Sequence, residues 1–309
     1  MDVSLFDGHC DTLLHCWRTG EGLERTTGAV DLDRGARLGR YCQFFAIWAV
    51  DDMAEGKSSC QVYEEQYRLF RRETEKHRNR IAHCRTAAEA EQAHREGKIA
   101  AFLSVEGAHM LRCDLDELRL AYERGVRAVN LTWNNANALS GSCRDEPERG
   151  LSGQGRAFVR EMQRLGMLVD VSHLSDPGFW GVMEEAVRPI IASHSNARAI
   201  CPHSRNLTDE QITAIIKNQG IMGLNLCAEF VGAQPDLDAM IGHLEHVLAL
   251  GGQQHVSLGG DLDGCTPIRE VRDVLGWEKL YERLLQKNYN ESVVRDLFYN
   301  NLMRVVIEL

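Results

Sequence analysis

The chain has 309 residues, 44% of them hydrophobic and 26% charged, the composition of a globular protein with a core rather than of a disordered chain. Its 35 basic and 45 acidic residues leave a formal charge of −10, which argues against a nucleic-acid partner or an anionic-membrane anchor. No run reaches the roughly 18–20 apolar residues that span a bilayer.

The first residues, Met1-Asp2-Val3-Ser4-Leu5-Phe6-Asp7, lack the basic start and long apolar stretch of a secretory signal, so the expected location is the cytoplasm. The ten cysteines are scattered, without a C-x-x-C, and are expected to be thiols. Eight apolar runs follow one another along the chain, at 3–11, 43–50, 99–106, 128–133, 167–173, 189–194, 220–226 and 255–261. Charged helical stretches separate them. Residues 61–81 and 154–165 carry apolar side chains at helical spacing. Thr208-Asp209-Glu210-Gln211 has the pattern of a capping box. Gly166, Gly220 and Gly251-Gly252 sit just past expected helix ends, where a left-handed cap favours glycine.

Strands alternating with helices imply parallel pairing through right-handed crossovers. Eight such units without a linker, repeat or break in composition predict one domain, residues 1–309, folded as a closed α/β barrel of the (β/α)₈ type. A doubly wound open sheet is the competing architecture. It usually carries G-x-G-x-x-G after its first strand, whereas this strand ends in Gly8-His9-Cys10-Asp11.

The chemistry is concentrated at the ends of the runs. His9 and Asp11 close the first, Glu106 the third, His173 the fifth, His194 the sixth and Asp261 the eighth. In a barrel, strand ends converge on one mouth. Residues two apart in a strand share a face, which places His9 and Asp11 together. Three imidazoles and three carboxylates at one mouth make a metal site by composition, and this donor mixture suits zinc. Six candidates exceed the needs of one catalytic ion; two ions about 3.5–4 Å apart, bridged by a carboxylate, would use them. The other histidines fall mostly in helices or loops.

These residues carry a resemblance. Phe6-Asp7-Gly8-His9-Cys10-Asp11, Ser104-Val105-Glu106-Gly107, Asp170-Val171-Ser172-His173, Ala192-Ser193-His194-Ser195 and Gly259-Gly260-Asp261-Leu262-Asp263-Gly264 resemble the motifs of the renal/membrane dipeptidase family of zinc peptidases, family M19, in a bacterial-type soluble form. The tail Asn300-Asn301-Leu302-Met303-Arg304-Val305 resembles that family's C-terminal helix. The resemblance implies two Zn²⁺ ions per chain, with His9 and Asp11 on one, His173 and His194 on the other, and Glu106 bridging. It implies that Asp261 is the catalytic acid/base, and that the substrate is a dipeptide, in several family members one ending in a D-residue. A hydroxide bridging two zinc ions would be the nucleophile.

Arg205, in Cys201-Pro202-His203-Ser204-Arg205-Asn206-Leu207, matches the family segment whose arginine holds the dipeptide's free carboxylate, a role its two-pronged guanidinium suits. The chain departs from the family at Trp133, where relatives carry a histidine that stabilises the reacting carbonyl. Asn134, Asn135 and Asn137 are the nearby replacements, and Asn134 and Asn137 join Arg205 as expected substrate-binding residues. A second departure is Asn225-Leu226-Cys227, where some relatives place a tyrosine near the substrate. Asp263 is expected to support Asp261. Residues 138–153 are expected to form a lid, and residues 227–238 a wall of the pocket.

The rival readings are another binuclear barrel amidohydrolase, of lactonase or deaminase type, and a non-catalytic metal-binding paralogue. The first commonly uses a bridging lysine from strand four, and residues 126–133 contain none. All six ligand-type residues are present, which disfavours the second. A homodimer is the expected assembly for such a barrel.

Overall fold

The computed structural model of the chain describes residues 3–50 and 56–308; Met1 and Asp2, part of the segment read for a leader, and Leu309 lie outside them. Among the described residues, nine strands form one parallel sheet: β1 (Leu5–Cys10), β2 (Tyr41–Ile47), β3 (Ile81–His83), β4 (Ile99–Glu106), β5 (Val126–Asn130), β6 (Leu168–Asp170), β7 (Ile191–Ala192), β8 (Ile221–Leu224) and β9 (Val256–Leu258). Their order is β2-β1-β9-β8-β7-β6-β5-β4-β3, and β2 also pairs with β4, which closes eight of them into a barrel. The fold is the expected (β/α)₈ barrel, and the eight apolar runs supply its strands. No described helix is long and apolar enough to cross a membrane.

β3 is an addition. Residues 61–81 read as one helix, but the helix is Ser59–Lys76 and the chain turns at His77, whose carbonyl accepts from Arg80 N at 2.7 Å and Ile81 N at 3.1 Å. Ile81–His83 then pairs with the lower half of β4, leaving its upper half to β5. Three residues are too few to show a period of two.

The barrel interior is apolar at its base. Phe6, Phe44 and Phe102 lie with ring centroids 5.2, 5.5 and 5.7 Å apart. They cluster with Ala100, Ala128, Leu168, Ile191 and Ile221, and Leu302, Met303 and Val306 of the helix Asn301–Val306 close the floor. A separate, larger cluster, including Leu103, Val105, Val129 and Val169, lies between strands and helices. Alternation along β4 therefore puts Ala100, Phe102, Ser104 and Glu106 inside. In β1 the alternation is broken. Asp7 pairs with Gln43 but Cys10 with Phe45, so an extra residue sits between them. Phe6 faces the inner cluster, Cys10 joins the outer one, and His9 faces Glu106. This bulge re-aims the strand end, as bulges beside active sites often do.

Helix ends follow their sequence signals with one exception. Thr208 and Gln211 make both halves of the capping box. Gly166 and Gly251 are left-handed, with φ of 79° and 88°. After the helix Asp209–Lys217 it is Gln219, not Gly220, that takes the positive φ, 63°. Gly220 is required for close approach instead, since a Cβ there would stand 2.4 Å from the Ile190 carbonyl oxygen.

Candidate active site

Strands β6, β7 and β9 stop short, so His173, His194 and Asp261 stand in the turns beyond them. His173 and Asp261 have φ of 70° and 55°, a left-handed backbone that non-glycine residues adopt at a cost. Two buried carboxylates hold these turns. Asp170 Oδ1 accepts from Ser172 N and Ser193 N, both at 3.0 Å, tying the turn of His173 to that of His194. Asp7 Oδ1 accepts from His9 N at 3.1 Å and Gly260 N at 2.8 Å, and its Oδ2 from Trp277 Nε1 at 3.0 Å. Burial nevertheless holds the Asp7 carboxyl above its usual range, against these hydrogen bonds.

All six strand-end residues meet, buried, at one mouth. Glu106 lies between two sets of ligands. Its Oε1 is 2.9 Å from His173 Nε2 and 3.4 Å from His194 Nε2, while its Oε2 is 3.6 Å from His9 Nε2. His173 Nε2 and His194 Nε2 are only 2.9 Å apart. Their other ring nitrogens are engaged, His173 Nδ1 with Asn134 Oδ1 at 2.9 Å and His194 Nδ1 with Ser193 Oγ at 2.7 Å. Both Nε2 atoms are thus directed inward. On the other side, both ring nitrogens of His9 and Oδ1 of Asp11 are buried without a hydrogen-bond partner.

Charge follows the same division. Burial, with Arg205 and His9 nearby, holds His173 and His194 well below the usual imidazole range, which favours the neutral rings that bind metals. Burial opposes charge on His9 as well, but Glu106 and Asp11 outweigh it and lift His9 well above that range. Glu106 is pushed up to about 7, chiefly by burial, and Asp261 up to about 6 for the same reason. Carboxylates and imidazoles in this state compete for too few protons, with lone pairs left unsatisfied. A divalent cation resolves the conflict. His9, Asp11 and Glu106 can hold one, and Glu106, His173 and His194 another. The residues fit a metal.

The mouth opens into a cavity of about 420 Å³ lined by Asp11, Glu106, His173 and Asp261 together with Trp48, Trp133, Asn134, Arg205, residues 227–230 and residues 264–266. Arg205 is 3% exposed, and among the described residues no carboxylate pairs with it. Its Nη2 donates to the His194 carbonyl at 3.2 Å and its Nε has no partner. Asn206, which donates to the carbonyls of Cys201 and Phe230 at 2.9 Å each, anchors the loop that carries it. A buried guanidinium in a cavity wall without a carboxylate partner can accept an anion.

The remaining expected residues are placed differently. Asn134 lines the cavity, but its side-chain oxygen is engaged by His173. Asn137 is spent on its own loop, with Nδ2 donating to Leu131 O at 2.7 Å and Oδ1 accepting from Leu139 N at 2.8 Å, and it is absent from the cavity lining. Residues 138–153 are clamped rather than free to act as a lid. Cys143 N donates to the His173 carbonyl at 2.8 Å, Ser142 Oγ to Asn134 O at 2.5 Å, and Arg149 Nη2 to the carbonyls of Asn137 and Ser140. Asp263 is a strut, accepting from Thr12 Oγ1 and Ala29 N at 2.6 Å each.

Two roles escaped the sequence reading. Asn225 Nδ2 donates to Asp261 Oδ2 at 3.2 Å and so holds that carboxylate. It is the polar residue near the end of the seventh run, the signal that picked out the others. Trp48, which packs on Trp133 at 4.8 Å between ring centroids, follows β2 where only apolar residues were in view.

Comparison with known proteins agrees with this geometry. The family model "Membrane dipeptidase (Peptidase family M19)" matches residues 1–309. A dipeptidase, tcpJ, of Claviceps purpurea is 30% identical over 295 residues, 91% of this chain and 69% of its own. An uncharacterized protein of the pqqA 5′ region of Klebsiella pneumoniae is 33% identical over 239 residues, 74% of this chain and 88% of its own. The crystal structure of a metallo peptidase from Rhodobacter sphaeroides, liganded with a phosphinate mimic of the dipeptide L-Ala-D-Ala, superposes with a TM-score of 0.90 at 28% identity, covering 99% of both chains. With a matching family model along its whole length and this fold, the chain belongs to the membrane dipeptidase family, peptidase family M19, and is a metallo-dipeptidase.

Proposed function

We propose that the chain hydrolyses dipeptides, including those ending in a D-residue, with two zinc ions, one at His9 and Asp11, one at His173 and His194, and Glu106 shared between them. The observation that carries this reading is the division of Glu106, whose two oxygens face different histidines. The nitrogen–oxygen donor set suits zinc. When bound, such a pair of ions supplies an acidified water and a Lewis acid for the scissile carbonyl.

The chain's own residues do the rest. Asp261, buried beside both sets of ligands, is placed to take a proton from the attacking water and return it to the leaving amine. Asn225 fixes one of its oxygens for that task. Asn134 and Ser193 hold His173 and His194 by their Nδ1 atoms, leaving Nε2 for the metal. Arg205 takes the free carboxylate of the substrate, which selects dipeptides over longer chains by its fixed place in the cavity. Trp48, Trp133 and Phe230 supply apolar wall around the reacting bond. The L-Ala-D-Ala mimic bound to the Rhodobacter sphaeroides relative supports acceptance of a C-terminal D-residue.

A panel of dipeptides with L- and D-residues at the C-terminus, assayed with zinc-loaded and chelator-stripped protein, tests the reading. Hydrolysis that requires metal and returns with Zn²⁺ is expected. Full hydrolysis by protein shown to be metal-free would refute it.

A further inference from the structure

Two thiols share the cavity wall with the metal site. All ten cysteines are unbridged, and Cys227 and Cys265 both line the cavity that contains Asp11, Glu106 and Asp261. The segments that carry them are paired. Cys227 forms an antiparallel bridge with Pro267, Ala228 N donates to Thr266 O at 3.0 Å, and Ile268 N donates to Leu226 O at 2.9 Å. Cys265 lies two residues before Pro267, beside this pairing, and it lines the same cavity as Cys227. Each thiol is also the largest influence on the ionisation of the other, as befits neighbours on one cavity wall.

Both cysteines adjoin a support of Asp261. Cys227 N donates to Asn225 Oδ1 at 2.6 Å, and the other end of that amide holds Asp261. Cys265 follows Gly264, whose backbone lies against Asp11 and Asp261; a Cβ there would be 1.9 Å from Asp11 Oδ2 and 2.5 Å from Asp261 Oδ1.

We propose that Cys227 and Cys265 form a thiol–disulfide exchange site on the wall of the active-site cavity, which reacts with low-molecular-weight disulfides and closes into a Cys227–Cys265 bridge. The cavity admits a small disulfide to both sulfurs. The Cys227 thiolate attacks one sulfur of the reagent, forming a mixed disulfide and expelling one thiolate, which takes up a proton. Cys265, giving up its proton, then attacks Cys227 Sγ and expels the second thiol. The two protein thiols lose two electrons and the external disulfide gains them. The bridge links the Asn225 and Gly264 supports, so closure displaces Asp261 and slows turnover; this consequence rests on the proposed role of Asp261.

The test uses metal-loaded protein and bis(2-hydroxyethyl) disulfide, an uncharged probe. Peptide mapping should show a Cys227–Cys265 bridge, with dipeptide turnover reduced at least about tenfold by the misplacement and restored by dithiothreitol. Cys227→Ser should show the same turnover before and after the probe and Cys265→Ser should stop at a mixed disulfide on Cys227 without a bridge, whereas Cys143→Ser should respond as the wild type does. In the wild type, a stable mixed disulfide without closure, a bridge elsewhere, or a bridge that leaves turnover unchanged would overturn the proposal. The peptide map decides the exchange site even where the reduced protein hydrolyses no dipeptide, an outcome that counts against the proposed function alone.

Discussion

Gly259→Ala should remove a metal ion without touching a ligand. An alanine Cβ at 259 would stand 1.7 Å from the carbonyl oxygen of Ser193, and one at Gly223 would stand 2.0 Å from the same atom. Neither glycine has a positive φ, so the conflict is one of space rather than backbone conformation. Real Cβ contacts essentially never fall below 3.0 Å, so the Ser193 carbonyl must retreat by roughly 1.3 Å. The next residue is His194, buried and fixed through Ser193 Oγ. Metal–ligand distances tolerate only about ±0.2 Å, so a shift of that size takes His194 Nε2 out of coordination. Overpacking of this kind also costs about 1–3 kcal/mol. Metal content of the purified variant by mass spectrometry, with a thermal unfolding curve beside it, gives the answer. A folded protein with reduced zinc stoichiometry and lower Tm is expected. Wild-type zinc content and turnover in Gly259→Ala would show that the Ser193 carbonyl does not position the site.

Three further outcomes follow from the site and the core. Asp261→Asn keeps the shape and the Asn225 contact but removes the base, so kcat should fall by roughly 10²–10⁴ at unchanged zinc content; loss of zinc with an undiminished rate per ion would make Asp261 a ligand instead. Arg205→Met should abolish most of the preference for a dipeptide over its C-terminal amide, a loss of about 2–5 kcal/mol, and Arg205→Lys should also be impaired because it lacks the planar fork; unchanged discrimination would place the carboxylate elsewhere. Burial holds His83 down to about 4, so the unfolded chain binds a proton that the native state refuses, and stability present at neutral pH should be lost as pH falls from about 6.5 toward 4. Denaturant titrations across that range should give a shallower dependence for His83→Gln, and identical slopes would refute the assignment.

The strand-end residues were legible because strands of a parallel barrel are buried on both faces, so a polar residue closing an apolar run is conspicuous. Glu106 follows the simple alternation of β4. His9 does not: counting by twos from Phe6 directs Gly8 and Cys10 inward, and only the bulge between Asp7 and Cys10 turns His9 to Glu106. Asn137 looked equivalent to Asn134, but one faces His173 and the other is consumed by its loop, a distinction made by tertiary hydrogen bonds alone. The clamp on residues 138–153 likewise joins groups far apart in sequence. The need for glycine at 223 and 259 is not legible in the sequence, because their shared neighbour, the Ser193 carbonyl, comes from a third strand end. β3 carried too few residues to declare itself.

The central claim is a two-ion centre bridged by Glu106. Anomalous diffraction at the zinc edge from crystals of the zinc-loaded wild type and of Glu106→Gln tests it most directly. Two anomalous peaks between Glu106 and the two histidine sets are expected in the wild type, with at least one lost in the variant, because an amide offers no charge to share between two cations. A single peak in the wild type, or two undiminished peaks in Glu106→Gln, would contradict it.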